Sequence, residues 1–357
     1  MINNKHLFYL IIFTQFGVAI TNLPNKIYKI AGHDGWISTL IGGLIVQIIL
    51  FLYYSLYKKF PNKSFTDYTK IITNPFIGTC INICYFIYFL YVVIVVSIRF
   101  SDIIKIWIFP KSPAWLILIL FLFTAYIVAK KDILTIARTY VLCTFIFLIF
   151  ILFLLASYNN VHFGRILPIG QSPIKKISSG AYSSFIEMLG FEIFLFLPPF
   201  FQDTKKKLFT LSLANLFTTL LYTFILFTSY IRLSNKENSY IIDPILYIFK
   251  TFQSKMIEGL DTLFLTLWII VICATVISYI FIISEDVHKR LYLIVKNRNS
   301  ILFFIILIIF AFYPLVSSLV IKRETIANFG SYLDPIFIII IPFLLFLINK
   351  VRGLINS

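Results

Sequence analysis

The amino-acid sequence predicts an all-α integral membrane protein with about ten transmembrane helices. Of its 357 residues, 60% are hydrophobic and 13% are charged, whereas about 25% of residues are charged in an average soluble domain. The mean hydropathy is +0.93. The apolar residues also form blocks of about 20, the length that crosses a bilayer core of roughly 30 Å. We therefore expect a single transmembrane domain that covers residues 1–357.

The predicted spans are separated by short segments, nearly all of which contain lysine. Spans 1 to 10 have the approximate bounds 7–30, 36–57, 77–96, 114–128, 140–156, 181–201, 209–231, 260–283, 301–321 and 332–348. The two tails and the loops after even-numbered spans hold 17 of the 31 Lys and Arg residues. Because cytoplasmic loops carry the excess of positive charge, this distribution predicts that both termini are cytoplasmic.

The net charge of +16 is spread over nearly all of the loops. A nucleic-acid-binding surface requires basic residues on one patch, whereas scattered lysines beside membrane spans suit anionic lipid headgroups. We therefore expect contact with membrane lipid and no nucleic-acid partner.

Motifs of the common enzyme classes are missing from the sequence. It contains no G-x-S-x-G, no H-E-x-x-H, no Walker loop and no G-x-G-x-x-G. The four cysteines lie inside spans without metal-site spacing, and the four histidines are in separate loops or in the N-terminal tail. We expect no catalysis, no metal site and no cofactor.

Spans 1 and 6 share an unusual pair of residues. Gly17 precedes Pro24 in span 1, and Gly190 precedes Pro198 in span 6, about half the chain further on. With five spans in each half, the second half must enter the membrane from the opposite side. This pattern predicts a 5+5 inverted repeat, residues 1–157 and 175–350, in which helices 1 and 6 are broken.

Broken helices predict a binding site for a small metabolite. Free backbone groups at membrane depth are tolerated where they line a cavity or meet a ligand. A half-helix N-terminus suits a carboxylate and unwound carbonyl groups suit an ammonium group, so an amino acid fits both. The predicted ligand-binding residues of the two breaks are Phe16, Gly17, Val18, Ala19, Leu189, Gly190 and Phe191.

Two further pairs are predicted to form the side walls of this site. Tyr88 and Val92 in span 3, and Thr275 and Tyr279 in span 8, are i,i+4 pairs that each lie on one helical face. Ordinary packing between helices is an equally good interpretation of these four residues.

Acidic residues inside spans are costly and therefore informative. Glu187 and Glu192 lie in span 6, but their spacing of five puts them on different helical faces. Glu192 follows the predicted break by two residues. It is expected to be a structural carboxylate that accepts hydrogen bonds from the unwound part of span 1, or a carboxylate that contacts the ligand or carries a coupling proton.

Several motifs occur in order along nearly the whole chain. They are Gln15-Phe16-Gly17, Leu23-Pro24, Gly32-His33-Asp34-Gly35-Trp36-Ile37, Arg99, Ser112-Pro113, Gly190-Phe191-Glu192, Leu197-Pro198, and Asp261 followed by Trp268-Ile269-Ile270. Together these motifs resemble the GerA-type germinant-receptor B subunits, the permease-like proteins of spore formers.

This resemblance implies a fold, a location and partners. The fold is that of the amino acid/polyamine/organocation superfamily, with a LeuT-like inverted repeat. The protein would lie in the inner membrane of the spore, recognise a nutrient germinant, and associate with an A subunit and a lipoprotein C subunit. One position departs from the family: Glu258 is followed by Gly259 where the family usually has arginine, so no role is carried over to it.

The leading hypothesis is a membrane subunit of a spore germinant receptor that binds a small nutrient, an amino acid, at mid-membrane and triggers germination. The alternative is a working amino-acid transporter, coupled to an ion or a proton, because the same scaffold serves both functions. A structural scaffold with a vestigial pocket is a third interpretation.

Overall fold

The chain folds almost entirely into helices. The computed structural model describes residues 1–17, 19–158, 161–202, 205–252, 259–317 and 330–355. Within these ranges the one extended contact is an isolated parallel bridge between Ile2 and Phe201.

The first half of the chain contains spans 1 to 5. Span 1 is α1 (Asn4–Gln15) with α2 (Ala19–Ala31), span 2 is α3 (Gly35–Lys59), span 3 is α5 (Pro75–Trp107), span 4 is α6 (Ala114–Ala129), and span 5 is α7 (Ile133–Leu142) with α8 (Phe145–Ala156). A short helix, α4 (Phe65–Ile72), connects spans 2 and 3.

The second half contains spans 6 to 10. Span 6 is α9 (Ile174–Glu187) with the 3-10 helix Phe191–Phe196. Span 7 is α10 (Lys207–Arg232), span 8 is α13 (Leu260–Leu291), and span 9 is α14 (Arg298–Ser317). Span 10 comprises residues 330–335, the π-helical turn Ile336–Ile340 and α15 (Ile341–Ile355). Two short helices, α11 (Asn235–Tyr240) and α12 (Pro244–Lys250), lie between spans 7 and 8.

The apolar helices confirm an all-α membrane protein. In the part of the chain that the structure describes, six stretches are long and apolar enough to cross a bilayer: Ala19–Lys59, Pro75–Trp107, Ile133–Ala156, Lys207–Arg232, Leu260–Leu291 and Gly330–Arg352. Shorter apolar helices occur at Ala114–Ala129 and Arg298–Tyr313. Together with the interrupted spans 1 and 6, these helices confirm the predicted class, an all-α integral membrane protein.

Several helices extend beyond the predicted span bounds. Span 3 begins at Pro75, where the Asn74 side chain caps the helix by accepting a hydrogen bond from the backbone N–H of Ile77. Span 8 continues to Leu291, past the predicted end at residue 283. Hydropathy marks the apolar part of a helix, whereas backbone hydrogen bonding continues into its polar end. Residues 318–321 of predicted span 9 lie outside the described residues.

The broken spans lie inside the bundle because the other spans pack around them. Helix α1 contacts α7, α10 and α13, and α3 packs against both α9 and α10. At Gly43 of α3, an added Cβ atom would be 2.2 Å from the Thr219 hydroxyl of α10. Because a Cβ atom would not fit here, the close approach of spans 2 and 7 depends on glycine at position 43.

The N-terminal segment joins the two broken spans at one end. The Ile2 N–H donates to the Phe200 carbonyl (2.8 Å), and the Gln202 N–H donates to the Ile2 carbonyl (3.0 Å). The Ile2 side chain is fully buried. This bridge holds the start of span 1 against the end of span 6.

Candidate functional site

At the break in span 1, main-chain carbonyl groups accept hydrogen bonds from neighbouring side chains. Helix α1 ends at Gln15 and α2 begins at Ala19. The Thr275 hydroxyl lies 3.2 Å from the Phe13 carbonyl and 3.3 Å from the Thr14 carbonyl. Both acceptors therefore have a hydrogen-bond partner in span 8.

Two more carbonyl groups of this break have similar partners. The Tyr222 hydroxyl of span 7 donates to the Gln15 carbonyl at 3.0 Å. The indole N–H of Trp268 in span 8 donates to the Gly17 carbonyl at 3.3 Å. Buried carbonyl groups cost free energy when they lack a partner, so these side chains stabilise the unwound segment.

The break in span 6 follows α9 and is built on Gly190. Its φ is +122°, a backbone conformation that residues with a side chain rarely adopt. The Gln15 amide donates to the Met188 carbonyl at 2.9 Å. An added Cβ at Gly190 would be 2.6 Å from the Thr14 carbonyl carbon and oxygen. The two breaks are thus in direct backbone contact.

Glu192 is bonded to its own break and to span 8. The Gly190 N–H donates to its Oε2 atom at 2.7 Å, and the Tyr279 hydroxyl donates to Oε1. The side chain is fully buried. The Glu192 carboxylate therefore accepts the hydrogen bond of the backbone N–H that was predicted to bind a ligand carboxylate. These two hydrogen bonds come from spans 6 and 8 rather than, as was expected, from span 1.

The aromatic residues of the two breaks point in different directions. The Phe16 ring packs against Phe147 (4.9 Å between centroids) and Tyr222 (5.3 Å). The Phe191 ring lies 5.7 Å from Tyr53 of span 2. These two residues therefore do not face each other across one pocket.

The remaining predicted site residues have mixed environments. Ala19 is buried, whereas Leu189 and Val92 are half-buried. Tyr88 donates a hydrogen bond of 2.9 Å to Asp334 of span 10. Val18 lies outside the described residues.

A small apolar cavity borders the break in span 1. Its volume is about 10 Å³, room for roughly one water molecule. It is lined by Phe16, Ile20, Ile146, Phe147, Phe150, Phe264, Leu267, Trp268 and Val271. An amino acid does not fit this cavity, and we refer to this arrangement of the two breaks as the closed conformation.

The sequence predictions missed several polar residues around the breaks. Lys26, two residues after Pro24, forms an ion pair with Glu187 across spans 1 and 6 at 2.5 Å. Asp334 is buried in span 10. A charged residue within a predicted span was a sufficient signal for both positions. Gln15, Tyr222 and Trp268 carried no such signal, because polar aromatic and amide side chains are common in spans.

The motif around Gly32 has a structural role at the end of span 1. The buried Asp34 carboxylate accepts hydrogen bonds of 2.8 Å from the backbone N–H groups of Gly170 and Ser172. The Ser172 hydroxyl donates to the Ala31 carbonyl at 2.7 Å. This motif therefore anchors the long loop between spans 5 and 6.

The described residues include no group of three or more His, Cys, Asp or Glu side chains placed to hold a metal ion. The oxygen and nitrogen atoms described at the breaks belong to backbone groups, hydroxyls, the Gln15 amide, the Trp268 indole and the Glu192 carboxylate. Such a set can donate and accept hydrogen bonds.

Comparison with known proteins identifies the family. The family model described as "Spore germination protein" matches residues 1–319. The chain belongs to this spore germination protein family. Its membership confirms the resemblance that the Asp-Gly-Trp and Gly-x-Glu motifs indicated.

Two relatives within the family match most of the chain. Spore germination protein GerQB of Bacillus cereus is 25% identical over 289 residues, which is 80% of this chain and 79% of that protein. Spore germination protein A2 of Bacillus subtilis (strain 168) is 24% identical over 355 residues, or 96% of this chain and 94% of that protein.

Solved structures of transporters share the fold. A Na⁺-coupled sialic acid symporter in a substrate-bound outward-open state has a TM-score of 0.69 and 10% identity, covering 94% of this chain and 77% of that chain. A mutant manganese transporter of Eremococcus coleocola has a TM-score of 0.54 and 12% identity, covering 93% and 76%. These likenesses confirm the LeuT-like fold. The chain is a multi-pass membrane protein of the germinant-receptor or permease type.

Proposed function

We propose that this chain is the membrane subunit of a germinant receptor in the inner membrane of the spore, and that it binds an amino acid between the breaks of spans 1 and 6. The family supports the role in germination. The observation that carries the ligand site is the set of span 1 carbonyl groups that accept hydrogen bonds from side chains of spans 7 and 8. A ligand can replace side-chain donors without leaving a carbonyl group unsatisfied.

The chemistry of the exposed backbone groups matches an amino acid. The carbonyl groups of Phe13, Thr14 and Gln15 can accept the three hydrogens of an ammonium group. The Gly190 N–H, once Glu192 releases it, and the Gln15 amide, once it leaves the Met188 carbonyl, can donate to a carboxylate. Each exchange replaces one hydrogen bond by another, so its net free energy is on the order of 1 kcal/mol, and several exchanges together decide the affinity.

Ligand binding requires the closed conformation to open. Thr275 and Tyr222 join the unwound part of span 1 to spans 8 and 7. A nutrient that takes over these carbonyl groups would release both side chains and shift the population towards an open conformation. The change would pass to an A subunit and a lipoprotein C subunit, the partners that the family resemblance implies.

Replacement of Gly17 tests the proposed site. A Cβ atom at Gly17 would be 3.2 Å from the Thr275 hydroxyl, and the larger side chain of Gly17→Leu would extend into the proposed ligand position. Gly164→Leu is a matched control, because nothing lies within 4 Å of a Cβ atom there. We would measure saturable binding of each isotope-labelled amino acid to the purified protein in nanodiscs, and germination of spores carrying each variant.

The expected result is saturable binding of at least one amino acid by the wild type and by Gly164→Leu, with loss of binding and of germination in Gly17→Leu. Normal binding by Gly17→Leu at wild-type protein level contradicts the site. Uptake of the labelled amino acid into liposomes by the same protein would instead identify a working transporter.

A further inference from the structure

A cleft lies between the end of span 4 and the start of span 9, on the side of the membrane that the lysine distribution predicts to be cytoplasmic. Its volume is about 420 Å³, which is in the range of sites that bind small ligands. The two breaks belong to spans 1 and 6, so this cleft is separate from the proposed nutrient site.

Arg298, at the first turn of span 9, fixes the two walls of the cleft relative to each other. Its Nη2 atom lies within hydrogen-bonding distance of the carbonyl oxygens of Ala129 (3.0 Å), Lys130 (2.8 Å) and Lys131 (3.0 Å) at the end of span 4. The last carbonyl groups of a helix have no partner within it, so Arg298 caps span 4. Its Nη1 atom donates to Glu285 of span 8, and this ion pair commits the guanidinium charge to the fold.

The end of the cleft nearest the loops is polar and positively charged. Lys130 lines it and is exposed, and its ammonium group lies 4.9 Å from the centre of the Tyr126 ring. Asn297, Asn299 and Ser300 line the same cleft. Ammonium, amide and hydroxyl groups donate hydrogen bonds to phosphate oxygens, and a charged donor makes the stronger bond. This end of the cleft therefore has the chemistry to bind a phosphate group.

The other end of the cleft is apolar and continues along span 9 into the membrane. Phe303 and Phe304 line it, with 51% and 63% of their surface exposed. They follow Arg298 by five and six residues, roughly 7–9 Å further along the helix. The cleft therefore runs from the depth of the lipid headgroups into the hydrocarbon, which matches a phospholipid, whereas a free phosphate ion would use the polar end alone.

We propose that this cleft binds an anionic phospholipid, with its phosphate group at Lys130 and the start of span 9 and an acyl chain along Phe303 and Phe304. Basic pockets between membrane helices on the cytoplasmic side bind anionic headgroups in other proteins. An occupied cleft adds a second connection between spans 4 and 9, beside the one that Arg298 makes. This proposal does not depend on the proposed nutrient site.

Lipid titration of the full-length protein in detergent, followed by native mass spectrometry, tests the proposal. The probes are phosphatidylglycerol, which is anionic, and phosphatidylcholine, which is zwitterionic, with the same acyl chains. We expect the first lipid bound by the wild type to be phosphatidylglycerol. Lys130→Gln should weaken this binding about fivefold, the usual effect of one lysine on an anionic lipid. Lys130→Arg keeps the charge and should keep the preference.

Lys58→Gln is the matched control. Lys58 is also exposed, at the end of span 2 and outside the cleft, and its ammonium group lies 5.2 Å from the centre of the Tyr54 ring. It therefore reproduces the arrangement of Lys130 over Tyr126 at another place on the predicted cytoplasmic side. Lys58→Gln should bind phosphatidylglycerol as the wild type does.

A competition experiment distinguishes a lipid from a free anion. An excess of inorganic phosphate should leave the phosphatidylglycerol bound, because phosphate has no acyl chain to contact Phe303 and Phe304. Displacement of the lipid by phosphate would show a site for a free anion and would overturn the proposal. It is also overturned if the wild type binds both lipids equally, if Lys130→Gln keeps wild-type affinity, or if Lys58→Gln loses as much affinity as Lys130→Gln.

Discussion

Gly190 lies against the main-chain carbonyl group of Thr14, so closely that a Cβ atom at Gly190 would be 2.6 Å from both the carbonyl carbon and the oxygen. This contact joins the breaks of spans 1 and 6 through their backbones. The same glycine has a φ of +122° and donates its N–H to Glu192. One residue therefore controls the distance between the broken helices and the position of the buried carboxylate.

Gly190→Ala is expected to destabilise the protein strongly. The backbone strain alone costs about 1–3 kcal/mol, and overlap with Thr14 adds to it. Gly170→Ala separates the two effects, because Gly170 has a φ of +81° but nothing within 4 Å of an added Cβ. Thermal unfolding in detergent should show a larger loss for Gly190→Ala than for Gly170→Ala. Equal losses would mean that the contact between the breaks is unimportant.

Replacement of Glu192 should distinguish its shape from its charge. Glu192→Ala leaves the Gly190 N–H and the Tyr279 hydroxyl without their acceptor, at about 1–3 kcal/mol for each buried donor. Glu192→Gln keeps an acceptor oxygen in a side chain of the same length. Protein level and thermal stability should therefore fall further in the alanine variant, and Tyr279→Phe should fall between the wild type and alanine. If the alanine variant were as stable as the wild type, Glu192 would not have the expected structural role.

Cysteine labelling is expected to place Lys206 and Lys289 on the cytoplasmic side and Lys236 outside. Helix α10 has 26 residues, and at 1.5 Å per residue it measures about 39 Å, more than the roughly 30 Å hydrocarbon core. Lys206→Cys, Lys289→Cys and Lys236→Cys, each made in a chain without the four native cysteines, would be treated with a membrane-impermeant thiol reagent on intact cells and on inverted vesicles. Labelling of Lys206→Cys and Lys236→Cys from one side would be incompatible with α10 as a membrane span.

The ion pair of Asp67 and Lys289 should give a small, pH-dependent stabilisation of the loop between spans 2 and 3. Burial raises the pKa of the Asp67 carboxyl group, but hydrogen bonds from Lys289 and Ser64 outweigh it and lower the pKa below the usual value. A lowered pKa in the folded state stabilises the fold above the pKa of the unfolded state, about 3.9, and this contribution is lost as pH falls through the folded value.

Lys289→Ala should therefore cost about 0.2–1 kcal/mol at pH 7, the range for solvent-exposed ion pairs, and nothing at a pH below the folded pKa of Asp67. Thermal unfolding at both pH values measures this difference. Lys63→Ala, which removes an exposed lysine from the segment between spans 2 and 3 that contains Asp67, serves as the control. A cost that stays constant with pH would show that Lys289 acts through packing rather than through Asp67.

The sequence by itself determined the spans and the positions of the two breaks. Length and hydropathy specify membrane helices because the bilayer core has a constant thickness. Gly17 and Gly190 marked the breaks because local backbone conformation depends mainly on local residues. The acidic Glu192 was recognisable for the same reason, since a charge within an apolar span stands out without knowledge of its partners.

Only the tertiary structure decided which groups meet at those breaks. Tyr279 reaches Glu192 from 87 positions away and Tyr88 reaches Asp334 from 246 positions away. Such pairings depend on how the helices pack and rotate about their axes, and nearly uniform apolar helices carry little periodic signal about rotation. The hydrogen bond from the Thr275 hydroxyl to the Phe13 carbonyl has the same origin, because it forms only when spans 1 and 8 pack together.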